Sequence, residues 1–136
     1  MGRVRPYRPD TPSRGRGNVV DVVHGLLAYL AVGGVAIGLA WAALSFARRG
    51  AAGISDWFQA VVVALLVVVA ASGLVLVVAG GRPADGLHFL YAVIAIGIVP
   101  AARSFMGHTG GRTAAVAMLA AFLVLAVLLY RLFTTG

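Results

Sequence analysis

VVDVVHGLLAYLAVGGVAIGLAWAALSF, residues 19–46, is an apolar run whose only charged or basic side chains are Asp21 and His24. A hydrocarbon core roughly 30 Å thick needs about 20 helical residues, and this run exceeds that length. It is also too long for the roughly 7–15-residue apolar region of a cleaved signal peptide, so the segment is expected to be retained. The composition agrees, because 61% apolar residues over 136 positions is too many for a water-soluble core under a polar skin. The fold expected is therefore all-α and integral to a membrane.

Working outward, three further runs have the same character, and charges are almost confined to the ends of the four. The expected architecture is a four-transmembrane-helix bundle with spans at about 19–46, 57–78, 87–105 and 113–133. The third run is apolar only to Ala102 and holds Pro100 near its end, so it reaches spanning length by including residues to Phe105. Ahead of the first span, residues 1–18 are rich in Arg and Pro and hold little that can pack. They are expected to form an extended or disordered arm.

The chain also matches itself. Displaced by 64 residues without gaps, Asp21 falls on Asp85, His24 on His88, Leu26 on Leu90, Ala28 on Ala92, Ala31 on Ala95, Gly33 on Gly97 and Val35 on Val99. This is an internal two-helix repeat. It places a histidine three residues after an aspartate near the start of the first and third spans, which run in the same direction. At about 100° per residue, His24 shares a stripe with Ala28, Ala31, Val35 and Gly38, and His88 shares one with Ala92, Ala95, Val99 and Ala102. Ionisable groups inside a bilayer are costly and mark function by default, so a matched pair at similar depth reads as a shared site.

Small residues below each histidine leave room for a flat ring between the helices, and two imidazoles can each give a nitrogen to one iron. The site expected is one bis-histidine haem b, with His24 and His88 as metal ligands and Ala28, Ala31, Ala92 and Ala95 lining the ring. Tyr91, one turn after His88, is placed to contact the ring or a quinone, and Arg82 to pair with a propionate. Each has an ordinary alternative, Tyr91 as an interfacial anchor and Arg82 as a topology signal. Asp21 and Asp85 read as helix N-terminal residues, with a role as acceptors from the histidines as the alternative.

With these residues in view, the chain resembles the four-helix integral-membrane b-type cytochromes, including the four-helix halves of haem A synthases. The resemblance rests on His24, His88, the repeat and the small-residue stripe, and it is one of architecture. It implies electron transfer or haem handling. Only two intramembrane histidines are present, so the ligands for a second haem are missing, and nothing here matches the active site of a haem A synthase.

Competing readings use the same residues. Small residues also let helices pack closely, and Gly34 to Gly38 is a G-x-x-x-G match. A cofactor-free accessory subunit of a larger respiratory or photosynthetic membrane complex is therefore one alternative, and binding of a chlorophyll-type pigment is another. No intrinsic catalysis is expected: no Walker loop, G-x-S-x-G or H-E-x-x-H occurs, and cysteine chemistry is excluded by the absence of Cys. His108, in a polar loop, reads as solvated.

Arginine placement sets the expected orientation. Arg3, Arg5, Arg8, Arg14, Arg16, Arg82 and Arg131 fall on the side of the termini, against Arg48, Arg49, Arg103 and Arg112 opposite. That excess puts both termini in the cytoplasm, with the chain in the cytoplasmic (inner) membrane. The formal charge of +7 suits anionic lipid or an acidic subunit surface. Nucleic acid is not an expected partner, because the basic segment holds a single aromatic, Tyr7, and no folded module.

Overall fold

A computed structural model describes residues 17–48, 54–80, 86–106 and 111–135. Four helices follow in chain order: α1 (Gly17–Ala47), α2 (Asp56–Val78), α3 (Leu87–Met106) and α4 (Arg112–Thr135). Each is long and apolar enough to cross a membrane. The arm ahead of Gly17, together with Arg82, Asp85 and His108, lies outside the described residues.

Local chemistry sets several of the boundaries. Ser55, in extended conformation, precedes α2 and its carbonyl accepts the first helical bond from Gln59 N–H at 3.2 Å. Asp56 then stands in the first turn, where the helix dipole favours an anion. At the other end Gly80 adopts φ +99°, a left-handed conformation that glycine takes without a Cβ clash, and its N–H returns to Val77 O at 3.0 Å. Helix α3 runs through Pro100 to Met106, and the Pro100 carbonyl accepts the Ser104 hydroxyl at 3.1 Å.

The four helices form a ring in which α1 packs against α2 and α4, and α3 packs against α4 and more lightly against α2. Helices α1 and α3 are therefore diagonal partners across the bundle. Neighbours run antiparallel: Tyr29, early in α1, meets Phe133, late in α4, with ring centroids 5.6 Å apart. At the opposite end Trp41 meets Phe58 at 5.8 Å, the Arg112 guanidinium lies over the Phe46 ring, and Arg103 pairs with Asp56 at 2.7 Å. The start of α1 and the finish of α4 thus share one end of the bundle.

Large core side chains come mainly from α4, where Phe122 and Leu125 are fully buried and Met118, Leu128 and Leu129 nearly so. Helices α1 and α3 face them with small or β-branched residues, Ala31, Val35 and Ala42 on one and Ala95 and Val99 on the other. Gly38 is the tightest point, because a Cβ built there would stand 2.2 Å from Phe122 Cε1. The outer faces are apolar on every helix, with Leu30, Val61, Val93 and Val127 among many large exposed side chains. Among the described residues, every charged side chain lies near one end or the other of a helix.

Burial repeats along with the sequence. Ala31 and Ala95 are both 1% exposed, Val35 and Val99 are both buried, and His24 and His88 are both half-buried, as are Ala28 and Ala92. Leu26 and Leu90 are exposed, and Gly33 and Gly97 face open space. The 64-residue displacement therefore carries α1 onto α3 face by face. The second helices of the two halves differ: α2 buries Gln59, Val62 and Leu66, whereas α4 buries a longer stripe from Ala115 to Leu129.

Candidate functional site

His24 stands in α1 about two turns from its start, and His88 is the second residue of α3. Both are at the end of the bundle shared by the start of α1 and the finish of α4. Each imidazole turns toward the helix that follows its own. His24 Nδ1 lies 2.8 Å from Ser72 Oγ on α2, and His88 Nδ1 lies 3.5 Å from Thr135 Oγ1 at the last turn of α4. The first is a short hydrogen bond and the second is at the outer limit of one. These contacts join residues 48 and 47 apart in the chain, so the two histidines are held alike, although the 64-residue displacement carries Ser72 onto Gly136 and not onto Thr135.

The hydroxyls have second bonds. Ser72 Oγ donates to Val69 O at 2.8 Å and Thr135 Oγ1 donates to Arg131 O at 2.9 Å, each within its own helix. Gly73 makes room beside His24, since a Cβ there would come within 3.2 Å of the imidazole Cε1. Neither Ser72 nor Thr135 stands out in the sequence, where Ser72 is an isolated hydroxyl position in an apolar helix and Thr135 is one of two adjacent threonines at the end of another. A depth comparison would have found Ser72, because in an antiparallel pair the residue about two turns from the end of α2 faces the one about two turns from the start of α1.

Asp21 does not take the role of acceptor. Helix α1 begins at Gly17, so Asp21 falls beyond the first turn, its carboxylate is exposed, and the His24 Nδ1 goes to Ser72. Asp85 lies outside the described residues, and so does Arg82. Tyr91 is half-buried and packs on the core cluster.

Whether these residues suit a haem depends on donors and on room. The donor set suits it: two imidazoles from diagonal helices, each with Nδ1 directed at a hydroxyl and Nε2 left for a metal. Among the described residues there is no cluster of three or more His, Cys, Asp or Glu, so a metal here would rest on this pair. Room is more restricted. Ala31 and Ala95 belong to the same buried cluster as Phe122 and Leu125, whereas Ala28 and Ala92 are half-buried. A separate open groove of about 370 Å³, lined by Ile37, Ala40, Trp41, Leu44, Ser45 and Arg48, lies toward the other end of α1. It holds no histidine, and its polar lining is Ser45 and Arg48.

No protein-family model matches this chain, and no curated protein or solved structure is significantly similar to it.

Proposed function

We propose that this chain is a small integral protein of the cytoplasmic (inner) membrane that holds one b-type haem between His24 and His88 and serves electron transfer within a respiratory or photosynthetic membrane complex. The observation that carries this reading is the placement of two half-buried imidazoles on diagonal helices at one end of the bundle, each with Nδ1 directed at a hydroxyl of the helix that follows its own. An ionisable side chain within a span is expensive to keep without a use, and His24 lies about two turns into α1. His24 and His88 would hold the iron, Ala28 and Ala92 would border the ring, and Tyr91 stands on the same face of α3 as His88. Bound there, an iron porphyrin supplies one-electron redox chemistry, and the protein tunes it through ligand identity, hydrogen bonding and burial.

The exposed apolar faces meet the lipid bilayer, and both termini lie on the cytoplasmic side by the arginine distribution. Other membrane subunits are the natural partners of the basic arm, and a quinone is the natural lipid-soluble electron carrier. The deciding experiment is the visible absorption spectrum of the purified protein, oxidised and dithionite-reduced. A sharp reduced spectrum of low-spin haem b, lost in both His24→Ala and His88→Ala, supports the reading; protein purified without haem that also fails to take up added haem ends it.

A second reading is a cofactor-free accessory subunit. It draws on the packing of Ala31 and Ala95 into the side-chain core, which uses the small-residue stripe for helix contact.

A further inference from the structure

We infer that Ser72, with Thr135 as its weaker counterpart, is a positioning residue that fixes each histidine in the Nδ1–H tautomer and so presents two Nε2 lone pairs to one ligand. This rests on reading His24 and His88 as a ligand pair. The argument is a count of protons. A serine hydroxyl has one proton to give and two lone pairs with which to accept. Ser72 gives its proton to Val69 O at 2.8 Å, so its contact with His24 Nδ1, also 2.8 Å, requires the proton to be on the imidazole nitrogen. The resulting chain runs His24 Nδ1–H to Ser72 Oγ–H to the Val69 carbonyl.

The opposite tautomer keeps fewer bonds. With Nδ1 bare, the Ser72 proton must leave Val69 to reach it, and His24 Nε2–H then needs an acceptor. Among the described residues His24 has no such partner. The arrangement that keeps both bonds leaves Nε2 as a bare acceptor, which is the form a metal takes. The same logic holds at His88: Thr135 Oγ1 gives its proton to Arg131 O at 2.9 Å and has only lone pairs to offer Nδ1. At 3.5 Å that hold is looser. His24 is therefore the firmly oriented ligand and His88 the more adjustable one.

The test uses the full chain in detergent micelles, with histidine labelled by nitrogen-15 and no haem added. Imidazole nitrogen shifts distinguish a protonated from a bare nitrogen directly, and His24→Gln and His88→Gln assign the signals. At a pH where both rings are neutral, His24 is expected as Nδ1–H, and Ser72→Ala should release it toward a mixture while His88 stays unchanged. Ser72→Thr, which keeps a hydroxyl able to bond back to the helix, should restore the wild-type signal. His24 found as Nε2–H, or unmoved by Ser72→Ala in a protein that keeps its helix content, overturns the inference. If Ser72→Ala fails to fold, the wild-type and Ser72→Thr signals decide alone.

Adding haem separates this inference from the functional reading. In the loaded protein Ser72→Ala should keep haem near the wild-type ratio while shifting the reduction potential and the low-spin ferric resonance, and Ser72→Thr should shift neither. Correct tautomers with no haem uptake would leave the positioning role standing and remove the cofactor. Haem uptake with the wrong tautomer would do the reverse.

Discussion

Replacing Gly38 by alanine should weaken the bundle although alanine is the better helix former. A Cβ at this position stands 2.2, 2.5 and 2.8 Å from three carbons of the Phe122 ring. Carbon atoms rest about 3.5–4.0 Å apart, so the ring edge must retreat by more than about 1 Å. Phe122 is 0% exposed within a cluster that includes Leu125 and Val99, which gives it nowhere to go. Overpacking of this kind costs about 1–3 kcal/mol, and the gain from replacing a helical glycine returns at most about 1 kcal/mol. A net loss of about 1–2 kcal/mol follows, near a tenfold rise in the unfolded population. Reversible unfolding in detergent micelles measures it, with Gly33→Ala as the control because nothing lies within 4 Å of a Cβ there. Phe122→Leu in the Gly38→Ala background should recover part of the loss, so that the double variant is less damaged than the sum of the singles. Equal stability of Gly38→Ala and Gly33→Ala would refute the reasoning.

If one iron is shared, His24→Ala and His88→Ala should each abolish the low-spin haem spectrum, and the double variant should be little worse than either; unchanged haem content in both singles would remove the ligation. Ala31→Leu and Ala95→Leu should each destabilise the bundle by about 1–3 kcal/mol, since both sites are 1% exposed in the core. Haem retained in both variants would put the ring away from these alanines, at the level of Ala28 and Ala92. Asp56→Ala should cost less than about 1 kcal/mol, and less again at high salt, because the bridge to Arg103 is largely exposed; a larger, salt-independent loss would show that this pair holds α2 to α3 beyond its Coulomb attraction.

Length and hydropathy made four helices legible, because spans have to be about as long as a bilayer is thick and charges have to sit outside it. The faces were legible on α1 and α3, where Ala31, Val35, Ala95 and Val99 fall on the stripes that the repeat singled out and are all buried. What fills the space between those stripes was not legible. Helix α4 is apolar on all sides, so hydrophobic periodicity could not single out Phe122 and Leu125 as the inward pair. The site followed the same division. Histidines stand out in an apolar span, whereas Ser72 and Thr135 become meaningful only when antiparallel packing sets them at the depth of an imidazole. Asp21 was misleading for a local reason, since the helix starts earlier than its aspartate and the nearer acceptor lies on another helix.

The concentration of bulky core residues on α4 has a consequence for how the protein is made. Helices α1 to α3 emerge first, and α1 and α2 already meet through Trp41 against Phe58 and His24 against Ser72, but the large fully buried side chains Phe122 and Leu125 are still to come. Phe122 against Gly38, Phe133 against Tyr29 and Thr135 beside His88 are all contacts that wait for the last span. Until α4 arrives, α3 has only its lighter contact with α2, and the α1–α2 pair lacks the side chains that fill the middle of the bundle. Closure of the bundle is thereby tied to the order of synthesis, because the helix made last among the four is the one that joins α1 to α3.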